Sequence, residues 1–150
     1  ELGVDTILNP APAADIDESI FPFIDYFTPN ETEASFYVNH PVETHDDASK
    51  AAKTLLDMGI KNVIITLGEK GAYFANANET FSSPIANLSN PVVDTTGAGD
   101  AFNAGFAAAL TEDQNIKDAI SFASATAGLS TTKIGTANSM PSREEIDKIL

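Results

Sequence analysis

One stretch of the sequence, "DTTGAGDAFNAGF" at residues 94–106, combines residue types that could do chemistry. Gly97 and Gly99 flank Ala98, so the chain can turn sharply there and let successive backbone amides approach a ligand without an obstructing side chain. If a helix starts near Ala98, these amides also lie at its positive end. Gly97, Ala98 and Gly99 therefore form a candidate anion hole, and Asp100 directly follows it.

The carboxylate of Asp100 is open to two interpretations. Beside an anion hole it could accept the proton of an attacking hydroxyl while the amides stabilise a transferring phosphoryl group, which are the main requirements of phosphoryl transfer. Alternatively, a carboxylate is favoured in the first turn of any helix by a few tenths to about 1 kcal/mol. The motif alone does not decide between a catalytic base and a helix-start residue.

Two common phosphate-binding motifs are excluded. The dinucleotide pattern G-x-G-x-x-G requires glycine where Phe102 stands, and the pattern G-x-x-x-x-G-K-[ST] occurs nowhere in the chain. The sequence is therefore neither that of a standard Rossmann dehydrogenase nor that of a P-loop enzyme.

The charge of the chain narrows the classes of partner. Its 150 residues include 8 basic and 22 acidic side chains, a formal net charge of -14, so the surface repels nucleic-acid phosphates and anionic membranes. We expect no nucleic-acid partner and no membrane partner, and no apolar run approaches the length of a membrane span. An anionic ligand then needs a site made of backbone amides, a helix terminus or bound cations.

The absence of cysteine excludes disulfides and thiolate zinc sites and is compatible with a reducing compartment. Three N-x-[ST] sequons, at Asn30, Asn78 and Asn87, are interpreted as chance matches because no secretory signal precedes them. The two histidines, His40 and His45, are interpreted as surface residues of a polar connection. We expect a cytoplasmic protein.

The elements that must position the motif alternate between strand and helix. Strands are predicted in "VDTILNPAPA", "IDYFTP", "NVIITLG", "GAYFANANETFSSP" and "LSNPVVD", the fourth as a pair of strands joined at "NAN". Helices are predicted in "NETEASFYVN", "THDDASKAAKTLLDMG" and "NIKDAISFASATAGLS", from the opening motif to about Glu112, and from near Ser142. This alternation predicts one α/β unit with helices on both faces of a mainly parallel sheet.

Five stretches resemble, in the same order, the ribokinase-like (PfkB) carbohydrate kinases. They are "NPAPA", "TPNETEA", "TLGEKGAYF", "VVDTTGAGDAFNAGFAAAL" and "GLSTTKIGTANSMPSREEI". The resemblance implies that residues 1–150 are the C-terminal, nucleotide-binding portion of a three-layer α/β/α sandwich. It implies transfer of the ATP γ-phosphate to a sugar hydroxyl. "NPAPA" and "TPNETEA" are closer to the ribose-phosphorylating members than to fructokinases or nucleoside kinases, so O5 of ribose is the expected acceptor.

The resemblance assigns roles to three acidic or amide side chains. Asp100 becomes the base that deprotonates the sugar hydroxyl, beside the anion hole of the same motif. Asn30 and Glu33, as an N-x-x-E motif, would organise Mg²⁺ and the phosphates, the glutamate through metal-bound water. Without the resemblance, their spacing favours a capping box at a helix start.

The resemblance also places ATP contacts on the turn "TLGEKG" and on a later helix. The glycines of the turn permit close backbone approach, although an ordinary strand-to-strand turn explains them equally well. The ammonium group of Lys70, in this turn, can equally be interpreted as a solvated charge. Ser124, on the helix, has a smaller side chain than the polar residue that relatives often present near adenine. The residues concerned are Thr66, Leu67, Gly68, Glu69, Lys70, Gly71 and Ser124.

A monovalent cation, K⁺, is a further implication of the resemblance. Its ligands would be mainly backbone carbonyl oxygens, which suit a hard cation whatever side chain follows them. The alternative interpretation of the stretch "TTKIGTANS" is a simple loop between two helices. The assigned residues are Asp94, Thr96, Ser130, Lys133, Gly135 and Ser139.

Besides the small side chain of Ser124, the chain departs from the family in its glycines. It contains no GG dipeptide, whereas the N-terminal sugar-recognition region of the family is glycine-rich. We therefore expect that the sugar-binding half and the lid are missing from these 150 residues. Because positioning of both substrates supplies much of the rate, we expect little kinase activity from this stretch alone. A homodimer of the intact enzyme is compatible with the resemblance.

Overall fold

The computed structural model describes residues 3–150. They divide into two compact units, the first ending at Ser82 and the second running from Ser83 to Leu150. Three short 3₁₀-helices lie at Glu18–Phe23, Gly68–Lys70 and Ala137–Ser139. The strands are β1 (Ile7–Leu8), β2 (Tyr26–Phe27), β3 (Asn62–Thr66), β4 (Ala72–Asn76) and β5 (Thr80–Ser83). The helices are α1 (Glu31–Val38), α2 (His45–Asp57), α3 (Ala98–Thr111), α4 (Ile116–Ser130) and α5 (Arg143–Asp147).

The sheet is mixed, with the strand order β1-β2-β3-β4-β5. β1, β2 and β3 are parallel, and Tyr26 of β2 lies opposite Ile7 on one side and Asn62 on the other. β3 and β4 are antiparallel, because a short turn joins them, whereas α1 and α2 form the long crossover that a parallel pair needs. The α/β prediction is confirmed, as are the two short strands on either side of "NAN".

The stretch "LSNPVVD" was expected to be a strand, and this prediction is wrong. Residues 88–94 contain no strand. Pro91 cannot donate to a ladder, and the amides of Val93 and Asp94 donate instead to the carbonyl of Thr131, at 2.8 and 3.2 Å. This segment is therefore bonded to the end of a helix and not to a neighbouring strand.

The core of the first unit lies between the sheet and the amphipathic helix α2. Ala48, Ala51, Ala52 and Leu55 are fully buried, on the face that the sequence predicts, and β3 is buried along Val63, Ile64 and Ile65. Thr44 caps α2 through a reciprocal capping box with Asp47. Burial of one face and a satisfied first turn together explain why this segment is helical.

The second unit is built around the packing of α3 on α4. A Cβ atom added to Gly105 would lie 2.6 Å from Oγ1 of Thr126 and 3.1 Å from Cα of Ala123, so the backbones approach closely at this point. Arg143 of α5 lies 4.8 Å from the centre of the Phe122 ring of α4. No helix in residues 3–150 is long and apolar enough to cross a membrane.

We predict that Gly105→Ala destabilises the protein. The added methyl group meets Thr126 at 2.6 Å, and overpacking of this kind costs about 1–3 kcal/mol, offset in part by up to about 1 kcal/mol of better helix propensity. The matched control is Gly99→Ala in the same helix, where no atom lies within 4 Å of the new Cβ. Urea unfolding of the complete protein measures both, and equal stability of the two variants would contradict the close-packing account.

Candidate active site

Three asparagine or threonine side chains lie at the carboxyl ends of the parallel strands in the first unit. Asn9 follows β1, and its Nδ2 donates to the carbonyl of Thr28 at 2.9 Å. Asn30 follows β2 and forms a parallel bridge with Thr66, the last residue of β3, whose amide donates to the carbonyl of Pro29 at 3.0 Å. Ligands of open α/β sheets bind beyond the carboxyl ends of the strands, so this edge is the candidate site of the first unit.

Asn30 and Glu33 form a complete capping box at the start of α1. Oδ1 of Asn30 accepts from the amide of Glu33 at 2.9 Å, and Oε2 of Glu33 accepts from the amide of Asn30 at 2.8 Å. Among residues 3–150, Nδ2 of Asn30 and Oε1 of Glu33 have no hydrogen-bond partner. The capping contacts therefore fix both side chains and leave one polar atom of each available to a ligand.

The turn at residues 66–71 is a single turn of 3₁₀-helix. It is closed by a hydrogen bond of 2.7 Å from the amide of Leu67 to the carbonyl of Gly71. Gly68 and Gly71 have φ of +52° and +88°, a backbone region that L side chains seldom adopt, so glycine is favoured at position 68 and, with ψ at −135°, needed at position 71. Leu67 is buried, whereas Gly68 and Glu69 are exposed, and the exposed backbone is open to close approach.

The ammonium of Lys70 is not merely a solvated charge. Its Nζ donates to the carbonyl of Glu43 at 2.7 Å, across 27 positions of sequence. Glu43 lies in the connection between α1 and α2. The turn is thus attached through this side chain to a segment that the sequence did not indicate as functional.

In the second unit, α3 begins with Gly97 as its N-cap residue, at φ +76°. The amide of Ala98 donates to the carbonyl of Thr95 at 3.1 Å and closes the turn. The amides of Gly97, Gly99 and Asp100 have no acceptor among the described residues. Two of the three amides assigned to the anion hole are therefore available in this structure, and that of Asp100 is available beside them.

Asp100 is exposed in the first turn of α3. Within residues 3–150 its carboxylate accepts no hydrogen bond and forms no ion pair, and the N-cap of the helix has no side-chain hydrogen bond. A carboxylate that capped the helix would accept from one of these amides. Asp100 does not do so, although it lies in the first turn of the helix.

Asp94 joins the two segments to which the monovalent cation was assigned. Its Oδ1 accepts from the amide of Thr96 and its Oδ2 from the amide of Gly135, both at 2.9 Å. The Gly135 amide, followed by Thr96, stabilises the charged form and lowers the pKa of Asp94 from 3.8 to about 2. The carboxylate thereby holds the loop before α3 against the loop after α4.

The carbonyl oxygens of these two loops suit a hard cation. Those of Asp94, Thr96, Lys133 and Gly135 accept no hydrogen bond from residues 3–150, so a cation would not have to displace an existing donor. Nζ of Lys133 pairs with Glu145 at 3.0 Å, which leaves its carbonyl as the group that a cation could use.

The remaining assigned residues differ in their hydrogen bonds and in their exposure. The carbonyl of Ser130 accepts from the amide of Lys133 at 3.3 Å. Ser139 is buried, and its Oγ donates to the carbonyl of Thr136 at 2.6 Å. Ser124 is partly exposed on α4, and its contact with adenine stays a prediction.

The structure brings the assigned residues together in two sets, one in each unit. Asn30 and Glu33 lie beside the turn at residues 66–71, whereas the anion hole and the cation loops surround the start of α3. No three His, Asp or Glu side chains within residues 3–150 converge on a metal position. Asn9 was missed as a candidate, although an asparagine directly after a parallel strand is a signal that could have identified it.

The α/β fold, the N-x-x-E motif at a sheet edge and the G-A-G-D helix start are together the features of a ribokinase-like carbohydrate kinase. The chain belongs to the pfkB family of carbohydrate kinases, whose family model matches residues 2–143.

Comparison with known proteins gives the same class. The chain is 42% identical over 143 residues to the ribokinase of Haemophilus influenzae, covering 95% of this chain and 46% of that protein. It is 38% identical over 149 residues to the deoxyribokinase of Salmonella typhi, covering 99% and 48%. The solved structure of Arabidopsis thaliana ribokinase complexed with ribose and ATP is similar, with a TM-score of 0.92 at 36% identity, covering 98% of this chain and 47% of that one. The chain spans about half the length of these relatives.

We predict that the stabilising effect of Asp94 disappears in acid. Because folding lowers its pKa from 3.8 to about 2, its contribution is fully present above 3.8 and is lost as the pH falls through about 2. Asp94→Asn, which can accept only one of the two amide bonds, is insensitive to this titration. The stability gap between the wild type and the variant, followed by urea unfolding at decreasing pH, should narrow between pH 4 and 2. A difference in stability that stays constant over this pH range would contradict the role given to the two hydrogen bonds of Asp94.

Proposed function

We propose that the complete protein is an ATP-dependent sugar kinase that transfers the γ-phosphate of ATP to O5 of D-ribose, giving D-ribose 5-phosphate and ADP. Membership of the pfkB family supports the reaction class. The relatives named ribokinase, one of them solved with ribose and ATP, support the substrates. The observation that carries the proposal is Asp100, an exposed carboxylate without a partner among the described residues, next to free amides at a helix start.

Asp100 acts as the general base of the proposed reaction. It accepts the proton of the sugar hydroxyl as the hydroxyl oxygen attacks the γ-phosphorus, and the bond from phosphorus to the bridging oxygen of ADP breaks. The amides of Gly97 and Gly99 donate to the oxygens of the transferring group. The amide of Ala98 joins them only if it gives up the carbonyl of Thr95, to which it donates at 3.1 Å.

Asn30 and Glu33 are the residues that would hold Mg²⁺ near the phosphates. The free Oε1 of Glu33 suits an acceptor for metal-bound water, because Mg²⁺ usually keeps several of its waters. When bound, Mg²⁺ neutralises charge that develops on the phosphates. The capping box keeps both side chains oriented before any ligand arrives.

We predict that Asp100→Asn lowers kcat about 10²- to 10⁴-fold, the usual contribution of a positioned general base. The affinity for ATP should change little, because the amides and the helix start remain. The matched control is Asp113→Asn, which removes the same charge from another exposed position on a left-handed backbone that asparagine tolerates. Ribose-dependent formation of ADP by the complete protein measures both, and a near-normal rate for Asp100→Asn would refute the assignment.

The acceptor sugar is tested in the same assay. The similarity to a deoxyribokinase makes 2-deoxyribose the competing acceptor. We expect a higher kcat/KM with ribose than with deoxyribose or fructose. A higher kcat/KM with deoxyribose or fructose would be consistent with a pfkB-family kinase but would contradict ribose as its substrate.

We predict that K⁺ activates the complete enzyme. Bound at the carbonyl oxygens beside Asp94, the cation would stabilise the loop that leads into the anion hole. The rate should be higher in K⁺ than in tetramethylammonium at equal ionic strength, because the organic cation is too bulky for carbonyl ligation. Equal rates in K⁺, Na⁺ and tetramethylammonium would count against the cation site.

A further inference from the structure

The contact between Lys70 and Glu43 has no role in the mechanism described above. Nζ of Lys70 donates to the carbonyl of Glu43 at 2.7 Å. The other five residues of the turn at positions 66–71 carry no cationic side chain. The single cation of the turn is therefore directed to a backbone oxygen of the connection between α1 and α2.

The carbonyl of Glu43 is held in place from the side of α1. The preceding residue, Val42, is 2% exposed, and its amide donates to Oγ of Ser35 at 2.9 Å. That hydroxyl donates in turn to the carbonyl of Glu31, in the first turn of α1, at 2.6 Å. The residue before the acceptor of the lysine is thus connected by two successive hydrogen bonds to the first turn of the N-x-x-E helix.

The turn is attached to this helix at both of its ends. At its start, Thr66 donates to the carbonyl of Pro29 and forms the bridge with Asn30. Near its end, Lys70 reaches the connection that α1 supports. Between these attachments the backbone has only internal hydrogen bonds among the described residues and two glycines at positive φ, and glycine loses more conformational freedom on ordering than any other residue.

We propose that Lys70 is a positioning residue: its ammonium fixes the turn at residues 66–71 relative to the N-x-x-E helix and does not bind the phosphates. The inference rests on the proposed function, because it takes the turn as part of the nucleotide site. Ordering the turn before the nucleotide binds lowers the entropy that binding must remove. The benefit then applies to the nucleoside part of the ligand as well as to the phosphates.

The test compares three variants of the complete protein. Lys70→Met removes the donor and keeps the length of the side chain, and Lys70→Arg restores a donor. Lys53→Met is the matched control, because it removes the same charge from an exposed lysine of α2 that has no hydrogen bond or ion pair within residues 3–150. Titration calorimetry with ATP and with adenosine gives the affinities, and steady-state kinetics separates KM from kcat.

We expect Lys70→Met to lower the binding affinity for both ATP and adenosine by about three- to tenfold, which is the effect of one exposed charge-assisted hydrogen bond. KM for ATP should rise by the same factor and kcat should stay within about twofold, since the chemistry at Asp100 is untouched. Lys70→Arg should recover most of the affinity, and Lys53→Met should match the wild type.

Two results would overturn the inference alone. A loss confined to ATP, with adenosine unaffected, would make Lys70 a phosphate ligand. Affinities of Lys70→Met equal to those of Lys53→Met would show that the contact positions nothing. A wild-type protein that binds neither ATP nor adenosine would overturn the proposed function, and the inference with it.

Discussion

The site of the first unit depends on the parallel pairing of β2 with β3. This pairing ends in the bridge between Asn30 and Thr66, so a helix-capping motif and a glycine-containing turn, more than thirty positions apart in the sequence, meet at one edge of the sheet. The strands are only two and five residues long, and buried residues of both, such as Phe27 and Val63, belong to the same hydrophobic cluster as Leu55 of α2. The buried face of α2 is thus as necessary to the site as the polar residues that line it.

In the second unit, the carboxylate of Asp94 brings together the segments that form the candidate site. Asp94 satisfies one amide in each of two loops, the loop before α3 and the loop after α4. Two charge-assisted hydrogen bonds are stronger than neutral ones, and they hold free carbonyl oxygens and free amides within a short stretch of backbone. Opposite partial charges can thus be presented close together without a cluster of ionised side chains, which the net charge of -14 would disfavour.

Local chemistry made much of the fold predictable. All five helices within residues 3–150 were identified. Four of them begin at capping residues that can be recognised by type and spacing, Asn30, Thr44, Asn115 and Ser142, whereas α3 begins at Gly97 without a side-chain cap. The strand predicted around Val93 was wrong because paired valines suggest a strand, while the acceptor of its amide lies 38 positions away at Thr131. The contacts of Lys70 with Glu43 and of Asp94 with Gly135 also join residues far apart in the sequence, by 27 and 41 positions. Such contacts depend on tertiary packing, for which a single sequence carries no local signal.

The close approach of α3 and α4 at Gly105 has a consequence for how related sequences can diverge. The space there is shared with the side chain of Thr126 and the backbone of Ala123, so the volumes of the two positions are coupled. A side chain larger than hydrogen at position 105 needs a smaller one at 126. Alanine at 126 would remove Oγ1 but keep a Cβ 2.8 Å from the new atom, so only glycine at 126 removes both clashing atoms. Substitutions at these two positions should therefore occur in pairs among relatives that keep Asp100 at the start of the same helix.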